Sequence, residues 1–287
     1  MFNKFPTAVA HKSCVDRGMY VTPEYIISEC NGELKTLNKF CPHRRYPLGT
    51  TGEHKTQIKC KLHGFEFNPD GSPINNDKSL ACSTVHLGKS GILFKDFTEP
   101  KHTWVDDLSK EQNLKYSHIT TNSSKGSWLW TNDIAIDLFH VSNGLIHPLL
   151  MQQVDPAKFI LEEGDGWAIQ HNGNCGWWLF IYPFTFIEYS NPGCLAILSI
   201  IPTDNFIEYG FNWYVQYYYN DEVSRDRRII FETLELTYSE DVQAAELQRG
   251  DYFPLLRMSN PLEKHCVSFG DWVIKNKLKT VDINIRV

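Results

Sequence analysis

Two short Cys/His pairs constrain this chain more than any other feature. They are Cys41-Pro42-His43 and Cys60-Lys61-Leu62-His63, separated by residues 44–59, a C-x-H-x16-C-x-x-H pattern. Thiolates and imidazoles at this spacing can hold an iron–sulfur cluster with both Cys on one iron and both His on the other. Neutral imidazoles in place of two anionic thiolates raise the reduction potential, so such a centre passes electrons on. A structural zinc site also takes two Cys and two His, but its short pairs usually join Cys with Cys. Here each short pair is mixed and the mixed form repeats, which favours the cluster. A zinc-stabilised binding module stays open as the alternative, and its preparations would be colourless.

The flanking residues carry a resemblance. Phe40-Cys41-Pro42-His43-Arg44-Arg45-Tyr46-Pro47-Leu48 and the stretch from Lys59 to Gly71 resemble the two cluster loops of Rieske proteins, in particular the Rieske non-haem iron oxygenases. Gly64 suits a tight turn beneath a cluster, and Asp70-Gly71 is a hairpin signal.

Composition narrows the alternatives. A formal net charge of −6 with scattered Lys and Arg argues against a polyanion-binding protein. Residues 1–9 lack the charged-then-apolar pattern of a signal peptide, and no run approaches the ~20 apolar residues of a membrane span. Of eight Cys, six (Cys14, Cys30, Cys82, Cys175, Cys194 and Cys266) show no disulfide framework spacing. Reduced thiols and a cytoplasmic location are therefore expected.

From about 5 to 100 the chain reads as short strands broken by turns, a small antiparallel β domain. Polar residues from Thr98 to Lys125 read as a linker and lead-in strand. A helix is expected over 128–143, with Asn132 as N-cap, Asp133, Asp137 and His140 on one face, and Asn143-Gly144 ending it. Aromatic-rich strands follow at 177–182, 195–201 and 209–219, suiting an antiparallel sheet with one face covered. Residues 221–249 read as helix, with Ser239 capping a last segment that Asp241 opens. No phosphate loop or dinucleotide fingerprint is present.

Oxygen chemistry requires an open metal site, and two His plus one carboxylate on one face of Fe(II) leave positions free. His140, His147 and Asp241 form a candidate set, with Glu240 as the alternative carboxylate and Asp137 placed to orient an imidazole. Asp137, His140 and His147 resemble the D-x-x-H-x4-H motif of Rieske oxygenases. The stretch from Glu240 to Gly250 resembles the segment that carries their third ligand. With Phe269-Gly270-Asp271-Trp272-Val273, the resemblance extends over nearly the whole chain. Two departures stand out. Six residues, not four, separate His140 from His147, and seven residues of unbroken helix would rise ~10 Å. Ile134 stands where the family usually has Asn.

The resemblance implies an α+β chain: an N-terminal all-β Rieske [2Fe-2S] domain over 1–105, then a helix-grip (START-like) antiparallel sheet domain over 106–287 with a mononuclear iron site. It implies cluster ligands Cys41, His43, Cys60 and His63, iron ligands His140, His147 and Asp241, and Asp137 as the carboxylate bridging the two centres. It further implies an O2-dependent mono- or dioxygenase, supplied with electrons by a separate ferredoxin or flavin reductase. The expected assembly is a homotrimer in which one subunit's cluster serves its neighbour's iron. The substrate would be aromatic or an N-methyl or quaternary amine. The alternative function is a Rieske-type electron carrier or sensor whose second domain binds a small molecule without iron.

Overall fold

The computed structural model describes residues 7–88, 90–95, 113–143, 145–147, 158–172, 176–190, 193–203, 209–248 and 261–276. Two compact units divide the chain. One holds Met1–Thr120, Gly193–Ile197 and Tyr214–Arg225; the other holds Thr121–Pro192, Leu198–Trp213 and Asp226–Val287. The boundary expected between 105 and 106 lies outside the described residues.

The first unit is built from short strands: β1 (Thr7–His11), β2 (Met19–Val21), β3 (Tyr25–Cys30), β4 (Glu33–Asn38), β5 (His54–Lys55), β6 (Ile58–Lys59), β7 (Glu66–Phe67), β8 (Cys82–Thr84), β9 (His86–Leu87) and β10 (Ile92–Lys95). They pair as β1-β10-β9, β5-β2-β3-β4-β8 and β6-β7. Asn31 (φ 54°) and Gly32 (φ 80°) make the two-residue turn between β3 and β4, the left-handed geometry that Asn-Gly favours. At Asp70-Gly71 the expected turn forms: Gly71 N–H donates to Asn68 O at 2.9 Å and Ser72 N–H to Asp70 Oδ1 at 2.8 Å. Val21, Ile26, Leu37, Leu48, Ile58 and Phe67 pack into one apolar cluster, and Cys41 and Cys60 are part of it.

Val9, Ala10, Cys14, Tyr20, Ile27 and Leu93 form a second core patch, and His11, next in sequence to Ala10, is fully buried. Ser13 N–H donates to its Nδ1 (3.2 Å), and Nε2 lies 3.1 Å from Ser90 O. The neutral tautomer protonated at Nε2 satisfies both contacts. Gly91 (φ 83°) passes so close to this ring that a Cβ there would collide with His11 Nε2.

The second group of strands comprises β11 (Lys115–Ser127), β12 (Ile160–Gly164), β13 (Trp167–Asn172), β14 (Gly176–Ile181), β15 (Thr185–Ser190), β16 (Cys194–Pro202) and β17 (Tyr209–Tyr219). They form an antiparallel sheet ordered β11-β17-β16-β15-β14-β13-β12. In the first half of β17, Phe211, Trp213 and Val215 are buried in alternation with half-buried neighbours, as one covered face requires. From Gln216 to Tyr218 every residue is buried. There Gln216 Nε2 donates to Val9 O (3.0 Å), and Tyr218 Oη accepts His11 N–H (3.1 Å).

Among the described residues there are four α-helices: α1 (Trp128–Ile136), α2 (Leu138–Asn143), α3 (Arg227–Leu247) and α4 (Lys264–Lys275). α1 packs against α3 and α4. The helical readings need three corrections. Ser127, not Asn132, caps α1, its hydroxyl accepting Trp130 N–H at 3.3 Å. Asn132 instead donates from Nδ2 to Trp128 O at 2.7 Å. The expected single helix over 128–143 breaks at Asp137, which is extended (φ −79°, ψ 104°), so Asp133, Asp137 and His140 do not share a helical face. The cause is Asp137 itself: its Oδ1 takes Phe139 N–H at 2.7 Å, a side-chain bond that competes with the helical ladder. Finally, α3 starts at Arg227 and runs past Ser239 without interruption, so Asp241 lies beyond its midpoint, not at an N-terminus. No Gly or Pro interrupts this stretch, so Ser239 caps nothing.

Burial lowers the His11 pKa from its usual 6.5 to about 4, with Ser90 O opposing and the Lys12 charge adding to the fall. The folded value lies below the unfolded one. Stability from this group is therefore complete above pH 6.5 and lost as pH falls towards 4, by about 3 kcal/mol in all. Urea unfolding of wild type should show this loss between these pH values, and His11→Gln should remove that part of the slope. An identical slope in the variant would refute the assignment.

Candidate metal centres

The two cluster loops share one backbone design. In each, the Cys carbonyl accepts an N–H four residues on: Arg45 N–H to Cys41 O (2.9 Å) and Gly64 N–H to Cys60 O (2.8 Å). In each, the Cys N–H returns to the carbonyl of the next residue, Tyr46 or Phe65, at 2.9 and 2.8 Å. Both loops use a left-handed residue at the turn, Arg45 (φ 57°) and Gly64 (φ 74°). The arrangement buries both thiols and exposes both imidazoles. The His43 and His63 rings meet at 4.7 Å, and Phe65 stacks on His43 at 5.3 Å. Burial pushes the Cys41 thiol up and the neighbouring Cys60 adds to this, while the His43 and Arg44 amides aim at its sulfur and oppose the rise. His43 is lowered by partial desolvation and by nearby His63 and Arg44. Two buried soft sulfurs and two adjacent exposed imidazoles suit a cluster with two thiolate and two imidazole ligands.

The second constellation lies wholly within the second unit. His140 on α2, His147 beyond it and Asp241 on α3 are all buried and converge. His140 Nε2 and His147 Nε2 are 3.0 Å apart, His147 Nε2 and Asp241 Oδ1 are 2.8 Å apart, and His140 Nε2 and Asp241 Oδ1 are 3.3 Å apart. Metal bonds of about 2.1 Å at right angles would separate their donors by about 3.0 Å. The long His140–His147 spacing is therefore absorbed between the rings. Gly144 of the expected Asn143-Gly144 turn lies outside the described residues, as do Pro148 and Arg249-Gly250.

Glu240 is placed on the far side of His147, its Oε2 2.8 Å from Nδ1. This fixes the tautomer: Nδ1–H donates to Glu240, leaving a lone pair on Nε2. That lone pair faces the Asp241 carboxylate oxygen, so two acceptors meet at 2.8 Å. A cation or an added proton must lie between them, and the donor set fits a divalent iron. Asp137 Oδ2 stands 3.7 Å from His140 Nδ1, too far for a hydrogen bond. Among the described residues His140 Nδ1 has no hydrogen-bond partner. Burial alone would lower the His140 pKa, but Asp137 and Asp241 outweigh it and bring it to about 9. His147 is raised in the same way, against burial, by Asp241 and Glu240. Burial would raise Asp241, but the two imidazoles bring it down.

Beside Asp241 lies a small cavity lined by Asn132, Phe180, Phe186, Phe211, Trp213 and Tyr238. Phe180 and Phe186 stack at 4.5 Å across β14 and β15. Sequence reasoning missed two supports. Gln170 on β13 donates to Ile136 O at 2.8 Å and so closes α1 where the helix breaks. Glu188 on β15 receives the Tyr238 hydroxyl at 2.8 Å. The three-residue step from Tyr238 to Asp241 on one helix was a readable signal for Tyr238; nothing in the sequence marked its partner strand.

Residues 6–85 match the Rieske [2Fe-2S] domain family, so this part of the chain is a Rieske domain. No curated protein matches the chain in sequence. Solved structures do match it. A quaternary ammonium Rieske monooxygenase, CntA, in complex with an inhibitor superposes with a TM-score of 0.78 at 18% identity, over 97% of this chain and 90% of that one. A further structure of a quaternary ammonium Rieske monooxygenase, described for carnitine oxidation by gut microbiota and inter-subunit electron transfer, gives 0.71 at 19% identity, over 97% and 90%. NdmA of Pseudomonas putida CBB5 with caffeine gives 0.54 at 14% identity, over 96% and 91%. The chain thus has the fold of the Rieske oxygenases, with its cluster domain at the N-terminus. No described helix is long and apolar enough to cross a membrane.

Removing the Glu240 charge should loosen the metal without touching the cluster. Glu240→Gln is expected to weaken Fe(II) binding to the stripped mononuclear site by roughly 10–100-fold, read by anaerobic titration, with acid-labile sulfide unchanged. Unaltered affinity would mean that Glu240 does not orient His147.

Proposed function

We propose that this chain is the oxygenase component of a Rieske non-haem iron system. With O2 and electrons from a separate ferredoxin or flavin reductase, it would hydroxylate or demethylate a small N-methyl or quaternary amine. One observation carries the reading: a Rieske domain shares a chain with a buried two-His, one-carboxylate set that opens on an aromatic cavity. Cys41, His43, Cys60 and His63 would hold the [2Fe-2S] cluster, and His140, His147 and Asp241 the Fe(II). When bound, the cluster supplies electrons singly and the iron supplies open positions for O2.

The chain's own residues prepare that chemistry. Glu240 holds His147 with its Nε2 lone pair inward. Asp137 caps α2 with one oxygen and leaves the other near His140, a placement that suits a carboxylate coupling the two centres. The aromatic wall excludes water and holds an unreactive C–H bond in place. Exposed His43 and His63, flanked by exposed Arg44, Arg45 and Lys61, offer a positive face to an electron donor. A head-to-tail homotrimer, with the cluster of one subunit serving the iron of the next, agrees with the inter-subunit electron transfer described for the related monooxygenase. The domain boundary near 105, and a cytoplasmic location, belong to this same reading. The mutual 3 Å approach of the three donor atoms weighs against the carrier or sensor alternative.

Single turnover tests the proposal. Chemically reduced protein, mixed with O2 and a trimethylammonium compound, should release demethylated or hydroxylated product. Asp137→Asn keeps an oxygen for Phe139 N–H, so both metals should remain bound while turnover slows at least ~100-fold. Normal turnover in that variant would remove Asp137 from the path. Absence of product from wild type with both centres filled, across aromatic, N-methyl and quaternary substrates, would overturn the oxygenase reading.

A further inference from the structure

Glu188 and Asp241 are the buried carboxylates among the described residues, and they are compensated differently. Asp241 faces two imidazoles. Glu188, 6% exposed, faces hydrogen-bond donors only: Trp178 Nε1 to Oε1 (2.9 Å), Ser190 Oγ to Oε1 (3.4 Å) and Tyr238 Oη to Oε2 (2.8 Å). Among the described residues no Lys, Arg or His forms an ion pair with it. The indole N–H can only donate, and three donors suit an ionised acceptor. Burial raises this carboxyl's pKa, the three donors oppose the rise, and the charge of Asp241 adds to it. A buried charge without a counter-cation is costly, so an external cation that approached it would be favoured.

The cavity is where such a cation could approach. Glu188 and Phe186 alternate on β15 and share a face, and Phe186 lines the cavity. Tyr238 lines it too, its ring edge-on to Phe186 at 5.8 Å. The Tyr238 hydroxyl ends on Glu188, so the carboxylate stands one ring away from the cavity space. A compact cation there would meet the faces of aromatic rings and would favour the ionised form of the carboxyl behind them. A neutral group of the same shape would gain the apolar contacts alone.

We propose that Glu188 is a specificity-determining residue: held behind the Tyr238 ring without a protein counter-cation, it makes this cavity select a compact alkylammonium group over an uncharged group of the same shape. The inference rests on the cavity being the substrate site of the proposed oxygenase, but it concerns binding, not turnover.

The test compares choline with its uncharged isostere 3,3-dimethyl-1-butanol, by calorimetry on anaerobic iron-loaded protein. Wild type should bind choline at least tenfold more tightly. Glu188→Gln keeps the shape and an acceptor oxygen but removes the charge. It should weaken choline at least tenfold and change dimethylbutanol less than twofold. Equal binding of the two by wild type, no measurable choline binding, or an equal loss of both in the variant would overturn the proposal. An equal loss would mean that Glu188 only positions Tyr238. If the variant fails to fold, the wild-type preference decides alone. Selective choline binding without product from any trimethylammonium compound would leave this inference standing and count against the oxygenase reading.

Discussion

The bond from Phe139 N–H to the Asp137 carboxylate sets where α2, the short helix that carries His140, begins. It ends one helix and starts another within a single residue. A helix unbroken from His140 to His147 would carry the two about 10 Å apart along its axis. Because α2 ends at Asn143, before His147, the two Nε2 atoms can stand 3.0 Å apart. Gln170 secures the other side of the break by satisfying the Ile136 carbonyl, a backbone acceptor that burial would otherwise leave unpaired.

Convergence of the triad is electrostatically unstable without a cation. Glu240 takes the Nδ1 proton of His147, so the opposite nitrogen presents a lone pair to a carboxylate oxygen. His140 is raised to about 9 because Asp137 and Asp241 flank it. The site therefore attracts positive charge from whichever source is available, proton or divalent metal. The cavity beside it is built on the opposite principle. Its walls are largely aromatic, and the Glu188 carboxyl is held one ring back, behind Tyr238.

Parts of this were legible in the residues and parts were not. The mixed Cys/His pairs singled out two loops because ligand chemistry leaves few solutions at that spacing, and the structure builds both loops on one backbone design with matched turns at Arg45 and Gly64. Strands β14, β16 and β17 were legible from continuous or alternating aromatic and β-branched residues. Two of the three helical misreadings share one reason. Asp137 and Ser239 are both residues that cap helices, and local sequence does not say which of them will. Asp137 found a free N–H, whereas Ser239 sat in an unbroken ladder. Placing Asp241 beyond the midpoint of α3 removes the helix-dipole explanation for it, which a sequence reading had to carry as an alternative. Glu188 was invisible because its importance comes from a strand pairing and a helix contact remote in sequence.

The most direct measurement is iron and acid-labile sulfide per chain in anaerobically purified, Fe(II)-reconstituted protein, repeated with His147→Ala. Wild type should carry about three irons and two sulfides, and the variant about two irons with two sulfides. Two irons and two sulfides in both proteins would contradict it, leaving the converging His140, His147 and Asp241 without a metal to hold.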